Sequence, residues 1–211
     1  MLTNKRKLIF AITINLIIVG LEIIGAVLSV KRHGIKAFQY YTEDSNYFAL
    51  ISSLVFVICG VVSLKTNKSV GGMVHILRFI STTCLTVTLI VVLVVLIPMF
   101  PEDSVFMLFG DSNLYQHTLC PLLSILSFVF LENDVRLTKK SIFVSLIPTI
   151  IYGVTCVTLN ICRVMEGPYP FFYVYEFPWY FSTIFLISIF GGAIVISFVL
   201  YSLRNGSQKY L

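Results

Sequence analysis

The chain has 211 residues, of which 57% are hydrophobic and only 12% are charged, and its mean hydropathy is +0.93. Soluble domains carry about 25% charged residues, so this composition excludes a water-soluble protein and indicates an all-α integral membrane protein. In such a protein the net charge of +5 belongs to the loops on the cytoplasmic side, which argues against nucleic-acid binding.

Apolar segments recur along the whole chain, and a segment of roughly 20 mostly apolar residues is enough to cross a bilayer. The first follows a basic N-terminus as a signal peptide does, but its apolar core is too long and lacks a small-residue cleavage site. We therefore predict a single domain, 1–211, folded as a six-helix transmembrane bundle. The predicted spans are about 8–30, 46–64, 75–97, 113–131, 141–162 and 178–203.

Basic residues predict the orientation of the bundle, because cytoplasmic loops of membrane proteins are enriched in Lys and Arg. With six spans both termini lie on one side, and that side carries ten basic residues against four on the other. The ten are Lys5, Arg6, Lys7, Lys65, Lys68, Arg136, Lys139, Lys140, Arg204 and Lys209. Arg78 lies inside the third span, and we expect it to snorkel towards the basic side. The sequence thus predicts cytoplasmic termini.

The second span opens with a polar stretch, Phe38–Asn46, that reads Phe-Gln-Tyr-Tyr-Thr-Glu-Asp-Ser-Asn. Within and after it, Thr42, Asn46, Ala49 and Ser53 recur at helical spacing and share a face. Unpaired polar groups are costly in lipid, so this face should point into the bundle. Thr42 is a candidate nucleophile if a base lies within reach; the alternative is an ordinary helix N-cap.

The fourth span opens with a second polar stretch, Asn113–Pro121, which contains His117. An ionisable residue inside a span is a functional candidate, although a histidine that only hydrogen-bonds neighbouring helices fits the pattern as well. Spans two and four enter the membrane from the same side, so we expect Thr42 and His117 to form one site. The polar face of span four is predicted at Asn113, Gln116 or His117, Cys120, Ser124 and Ser127.

Two further charges lie at membrane depth. Glu22 is inside span one, and Arg163 is near the end of span five, on or near one stripe with Tyr152. Arg163 is a candidate partner for Glu22 or for a substrate carboxylate; the alternative is an interfacial, snorkelling arginine. The five cysteines show no metal-like spacing, and the sequence implies no metal and no organic cofactor.

Three motifs carry a resemblance to a known family. The aromatic-Thr42-x-x-Ser-Asn46 stretch resembles a signature of six-helix bacterial membrane proteins, relatives of the androgen-induced gene and androgen-dependent TFPI-regulating proteins of animals. The stretch from Asn113 through His117 to Pro121 resembles the family's Asn…His…Pro segment. Arg163 followed by Gly-Pro-Tyr-Pro-Phe-Phe is similar to a further stretch of the bacterial branch. The resemblance spans about 38–173 and implies a multi-pass protein of the bacterial cell membrane.

The resemblance also implies an activity, because the animal members are threonine hydrolases that act on fatty acid esters of hydroxy fatty acids. By motif, Thr42 matches the nucleophile and His117 the base. We expect Asn46 or Asn113 to donate to the oxyanion and Arg163 to hold a carboxylate or headgroup. The expected partner is a membrane lipid or an amphiphilic ester, and the sequence makes no prediction of oligomeric state.

Two alternatives to a hydrolase remain. The first is a carrier or receptor that binds a small amphiphile in the same polar cavity without reacting. It is favoured by the absence of a third triad member that the sequence reveals. The second is a purely structural membrane protein, which explains the polar helix faces least well.

Overall fold

The computed structural model describes residues 4–207, and the predicted basic residue Lys209 lies outside this range. Six helices in it are long and apolar enough to cross a membrane, so the prediction of a six-helix all-α bundle is confirmed. Their bounds are α1 Lys5–His33, α2 Tyr41–Thr66, α3 Gly72–Met99, α4 Leu114–Leu131, α5 Lys140–Ile161 and α6 Trp179–Ser207.

Helix α2 begins earlier than predicted. Tyr40 is in the extended conformation and caps the helix with its backbone alone, so Tyr41 is already helical. Glu43 and Asp44 lie in this first turn, where negative charge interacts favourably with the positive end of the helix dipole. Thr42 is therefore inside the first turn, and its interpretation as an N-cap is wrong.

Helix α4 is irregular at both ends. It opens with a π turn, Leu114–Leu119, and closes with another, Ser127–Leu131. Pro121 has no N–H to donate to the carbonyl of His117 four residues earlier, so a regular α-helical bond cannot form there. Single π turns inside α-helices occur frequently at functional sites, and this one contains His117.

The helices pack largely in chain order, with α1 on α2, α2 on α3, and α5 on α6. Helix α3 is central, because it also contacts α4, α5 and α6. Within the most apolar 18-residue stretch of α3, 56% of the residues are buried, whereas the corresponding share in α6 is 17%. Most of α6 therefore faces away from the protein.

The centre of the bundle is polar. Arg78 is fully buried, and its Nε lies 3.0 Å from Glu132 Oε2. Its other nitrogens donate to the hydroxyls of Ser53 at 2.9 Å and Ser124 at 3.1 Å, while Asn15 donates to Glu132 Oε1 at 2.8 Å. The expectation that Arg78 snorkels outward is wrong, since Ser53, Ser124 and Glu132 supply it with internal partners.

Glu132 lies just after α4 and stays ionised despite its burial. Burial raises the pKa of this carboxyl, but the charge of Arg78 and hydrogen bonds from Arg78, Asn15 and Ser127 outweigh that effect, so the pKa is lowered overall. The pair thus joins α3 to the turn after α4 through a charge interaction inside the bundle.

A second polar cluster marks the end of the bundle that holds both chain ends. Lys7 hydrogen-bonds Asn133, and Asn133 hydrogen-bonds Ser207. His75 is fully buried beside them, with its Nε2 2.8 Å from Asp134 Oδ1. This contact ties α3 to the loop after α4.

Candidate functional site

Thr42 and His117 meet at the opposite end of the bundle. The first turn of α2 and the π turn of α4 bring Thr42 Oγ1 within 3.3 Å of His117 Nε2. Both residues are buried, with 9% and 8% of their surface exposed. The structure thus confirms that the two polar stretches meet at one place. The catalytic role of the two residues stays a prediction.

The other nitrogen of His117 fixes the state of the ring. Nδ1 lies 2.6 Å from the backbone carbonyl oxygen of Met107. A carbonyl only accepts hydrogen bonds, so Nδ1 carries the proton and the lone pair of Nε2 points at Thr42. This is the arrangement of a nucleophile, a base and a group that orients the base. Sequence reasoning missed Met107 because a main-chain carbonyl leaves no side-chain signature.

Met107 belongs to a short helix, Ser104–Phe109, that precedes α4. Thr118 donates to the carbonyl of Leu108 at 2.8 Å, and Asn113 donates to that of Phe106 at 3.0 Å. Asn113, predicted to donate to an oxyanion, is thus engaged in supporting the helix that carries Met107.

An ion pair at the rim of the site joins the same region to α1. Arg32 Nη2 lies 2.7 Å from Asp111 Oδ2, and the Arg32 guanidinium also lies over the Phe106 ring at 4.9 Å. Both side chains are partly exposed, so the pair contributes little to overall stability. Its effect is local, because it anchors the segment that orients His117.

Asn46 lies one helical turn after Thr42 and links α2 to α4 through hydrogen bonds. Its amide nitrogen donates to the carbonyl of Thr42 at 2.7 Å and to that of Gln116 at 3.3 Å. These bonds use both amide hydrogens. The prediction that Asn46 donates to an oxyanion is therefore wrong, and its position instead holds α2 against α4.

Tyr169, in the loop between α5 and α6, is the group near Thr42 that sequence reasoning did not assign. Burial of its hydroxyl raises its pKa to about 12, even though hydrogen bonds with the side chain and backbone of Thr42 lower it. A backbone group that lowers a tyrosine pKa stabilises the phenolate, so it is the Thr42 N–H. Tyr169 was within reach of sequence analysis, because it lies in the third motif of the resemblance.

The loop that carries Tyr169 folds inward. An aromatic, Pro-rich composition suits the headgroup level of a membrane, but Phe171 and Phe172 are buried, each with 3% exposed. Gly167 makes the turn possible at φ +86°, and a Cβ there would lie 2.7 Å from that of Phe172. Only glycine fits this turn, which lays Tyr169 over the site.

A cavity opens at Thr42. Tyr152 lines it, as predicted for a support residue, and donates its hydroxyl to the carbonyl of Gln39 at 2.7 Å. The rest of the wall is mostly apolar and includes Phe171 and Phe172. An apolar groove of about 750 Å³ between α3 and α6 shares Val87, Val91 and Ile189 with this cavity.

Two predicted residues lie away from the catalytic pair. Arg163 is exposed, and its guanidinium lies over the Tyr175 ring at 4.5 Å. Glu22 is buried between α1, α2 and α4. Within residues 4–207 no ion pair joins them, so their predicted pairing is wrong. Arg163 is also absent from the wall of the cavity at Thr42.

Comparisons with known proteins add no name to this site. No protein family model matches the chain, and no curated protein or solved structure shows significant similarity to it. The resemblance to the androgen-induced gene family stays a prediction. In the described part of the chain, no group of three or more His, Cys, Asp or Glu is placed to hold a metal ion.

Proposed function

We propose that the protein is an intramembrane hydrolase of lipid-like fatty acyl esters, with Thr42 as nucleophile and His117 as base. One observation carries this proposal: His117 Nε2 lies 3.3 Å from Thr42 Oγ1 while its Nδ1 is bound by the Met107 carbonyl. A hydroxyl is a poor nucleophile until a base accepts its proton, and here the base has its lone pair on the correct side. The family resemblance points to the same pair.

The reaction begins when His117 Nε2 takes the proton of the Thr42 hydroxyl as its oxygen attacks the ester carbonyl carbon. The tetrahedral intermediate then collapses, and the imidazolium gives that proton to the departing alcohol oxygen. An acyl group remains on Thr42. In the second half, His117 accepts a proton from water, the resulting hydroxide attacks the acyl carbon, and Thr42 regains its proton as the fatty acid leaves.

The negative charge of the tetrahedral intermediate needs donors that are already in place. The backbone N–H of Thr42 and the hydroxyl of Tyr169 are proposed for this role, because Tyr169 lines the same cavity as Thr42 and its hydroxyl interacts with the Thr42 backbone. The N–H belongs to the first turn of α2, where backbone donors lack helical partners. With a pKa of about 12, Tyr169 keeps its proton at neutral pH and can donate it.

The substrate class follows from the walls of the cavity. Its lining is mostly aromatic and aliphatic, and the groove between α3 and α6 continues this apolar surface. A fatty acyl chain fits such a surface, and the ester group would lie beside Thr42. The family resemblance favours a multi-pass protein of the bacterial cell membrane. The basic residues favour cytoplasmic termini, and the site would then face the outer leaflet.

The test is covalent labelling with a fluorophosphonate probe, which reacts with activated hydroxyls. Mass spectrometry of the wild-type protein should find the probe on Thr42, and Thr42→Ala should abolish that labelling. Thr88→Ala is the matched control, because Thr88 lines the same cavity and its loss leaves the Thr42–His117 pair in place. Undiminished labelling of Thr42→Ala would overturn the nucleophile assignment.

A carrier or receptor for a small amphiphile is the second candidate. It is favoured by the fact that the two amides expected to stabilise an oxyanion, those of Asn46 and Asn113, are engaged elsewhere. A carrier would bind a fatty acyl ester and release it intact. Recovery of unhydrolysed ester after prolonged incubation, with saturable binding, distinguishes it from a hydrolase.

A further inference from the structure

A second, smaller cavity, too tight for a water molecule, lies between α1, α2 and α4. Its wall combines two acidic residues, Glu22 and Glu43, with two amides, Asn46 and Gln116. Glu22 and Glu43 are 1% and 4% exposed, and Asn46 is 2% exposed. The mechanism proposed above uses none of the carboxylates.

Three acceptor oxygens in this wall lack a conventional hydrogen bond. They are both carboxylate oxygens of Glu22 and Oδ1 of Asn46. The thiol of Cys120, a weak donor, interacts with Glu22. Glu43 differs, because Gln116 donates to it at 2.7 Å and the Ser29 hydroxyl donates to its other oxygen.

Neither carboxylate belongs to an ion pair in the described part of the chain. Within residues 4–207 the ion pairs are those of Arg32, His75 and Arg78 with other acids, and neither Glu22 nor Glu43 takes part. Two unpaired carboxylates inside a membrane bundle are strongly unfavourable. Protons or a bound cation must neutralise them in the folded protein.

We propose that this cavity binds a dehydrated hard cation of the size of Na⁺ or Ca²⁺. Its ligands are the carboxylate oxygens of Glu22 and Glu43 and Oδ1 of Asn46, which are the oxygen donors that hard cations prefer. The cavity leaves no space for water beside an ion, which disfavours Mg²⁺ because that ion keeps several waters. The ion balances the negative charge of the carboxylates and coordinates the oxygens that receive no conventional hydrogen bond from the protein.

The cation would also brace the catalytic pair without touching it. An ion on Asn46 Oδ1 fixes the amide whose nitrogen binds the carbonyls of Thr42 and Gln116. Gln116 directly precedes His117, so the ion, Asn46 and the two carbonyls connect α2 with the π turn of α4. The sequence implied no metal, and the proposed ion departs from that expectation.

Thermal unfolding of the purified, chelator-treated protein in a non-ionic detergent tests the site. Calcium chloride, sodium chloride and magnesium chloride are titrated separately at constant ionic strength maintained with choline chloride. Calcium or sodium should raise the Tm saturably, by roughly 5–10 °C at about a hundred times its Kd, and magnesium should not. Glu22→Gln should remove this response, whereas Glu102→Gln, in the exposed loop after α3, should retain it.

Direct binding keeps the inference testable if Glu22→Gln does not fold. Equilibrium dialysis of the wild-type protein with radioactive calcium or sodium should find about one ion per chain, bound in competition with the unlabelled ion. A wild-type protein that binds neither ion, and whose Tm follows only pH, would show that protons neutralise the carboxylates and would overturn the inference. Equal ion binding by Glu22→Gln would overturn it as well. Neither result depends on whether Thr42 is a nucleophile.

Discussion

The guanidinium of Arg78 and the carboxylate of Glu132 meet at 3.0 Å, and both side chains are fully enclosed by the bundle. Arg78 comes from α3, and Glu132 follows α4. A buried pair of this kind is an uncertain source of net stability, but removal of one partner leaves a buried, unpaired charge.

Replacing one partner of this pair should therefore destabilise the protein strongly, and replacing the second as well should add little. Arg78→Met and Glu132→Gln should each lower the free energy of unfolding by about 3–5 kcal/mol. Arg78→Met/Glu132→Gln should lose much less than the sum, because no charge remains unpaired. Denaturant unfolding in detergent micelles measures these values. Arg136→Met, at an exposed arginine of the neighbouring loop, is the control, and additive single effects would contradict the expectation.

Acid should destabilise the end of the bundle that holds both chain ends. Burial raises the pKa of Glu132 and of Asp134, but Arg78 and His75 respectively outweigh it and lower both values. A carboxyl whose pKa is lower in the folded protein than in the unfolded chain stabilises the fold at any pH above its unfolded-state pKa. This stabilisation is lost as the pH falls through the folded-state pKa.

The Tm should thus stay level down to about pH 4.5, the ordinary value for a glutamate, and decline below it. A Tm series in non-ionic detergent checks this. Glu132→Gln should start from a lower Tm and show a shallower decline. An equally steep decline in that variant would show that Glu132 is not the group that acid protonates.

Thr42 and His117 should behave as one unit in catalysis. Thr42→Ala and His117→Ala should each reduce ester turnover by at least about a hundred-fold, and the double variant should be scarcely worse than either. Thr42→Ser should retain part of the activity, since it keeps the hydroxyl. Hydrolysis of a long-chain ester by purified protein is the measurement. His33→Ala is the control, and multiplicative losses in the double variant would argue against a shared step.

Tyr169→Phe should lower kcat by about a hundred-fold and leave KM nearly unchanged, because the lost hydroxyl acts on the transition state. Steady-state kinetics with a long-chain ester measure both constants. Tyr173→Phe is the control from the same loop. A variant with a raised KM and normal kcat would mean that Tyr169 binds the ground state instead.

The orientation prediction can be tested with cysteine labelling. In a background without the exposed Cys162, Ser104→Cys should react with an impermeant maleimide in intact cells. Thr138→Cys, in the exposed loop at the other end of the bundle, should react only after permeabilisation. The reverse pattern would place the candidate site towards the cytoplasm.

The sequence predicted the six spans and their buried polar faces because hydropathy and helical periodicity are local properties. It paired Thr42 with His117 because both residues open spans that enter from the same side. It failed where partners come from distant elements. Arg78 was expected to reach outward, since nothing in the pattern shows that Glu132 lies beside it.

The failed pairing of Glu22 with Arg163 has a related cause. Similar depth in the membrane does not determine which way a side chain points, and Arg163 lies beyond α5 in a left-handed conformation, at φ +56°. The aromatic loop could not be placed from the sequence, because its composition suits a headgroup layer and a folded cover over a cavity equally well. Only the proximity of Tyr169 to Thr42, seen in the structure, shows that the loop covers the cavity.

Helix α6 has the least protein around it, and one wall of the groove that leads to Thr42 belongs to it. The tilt of such a helix adjusts to hydrocarbon thickness, at a cost of only fractions of a kcal/mol per Å of mismatch. A change in tilt alters the width of the groove. The length of the surrounding lipid chains would then control how readily a substrate reaches Thr42, so thin and thick bilayers with the same substrate content would give different turnover.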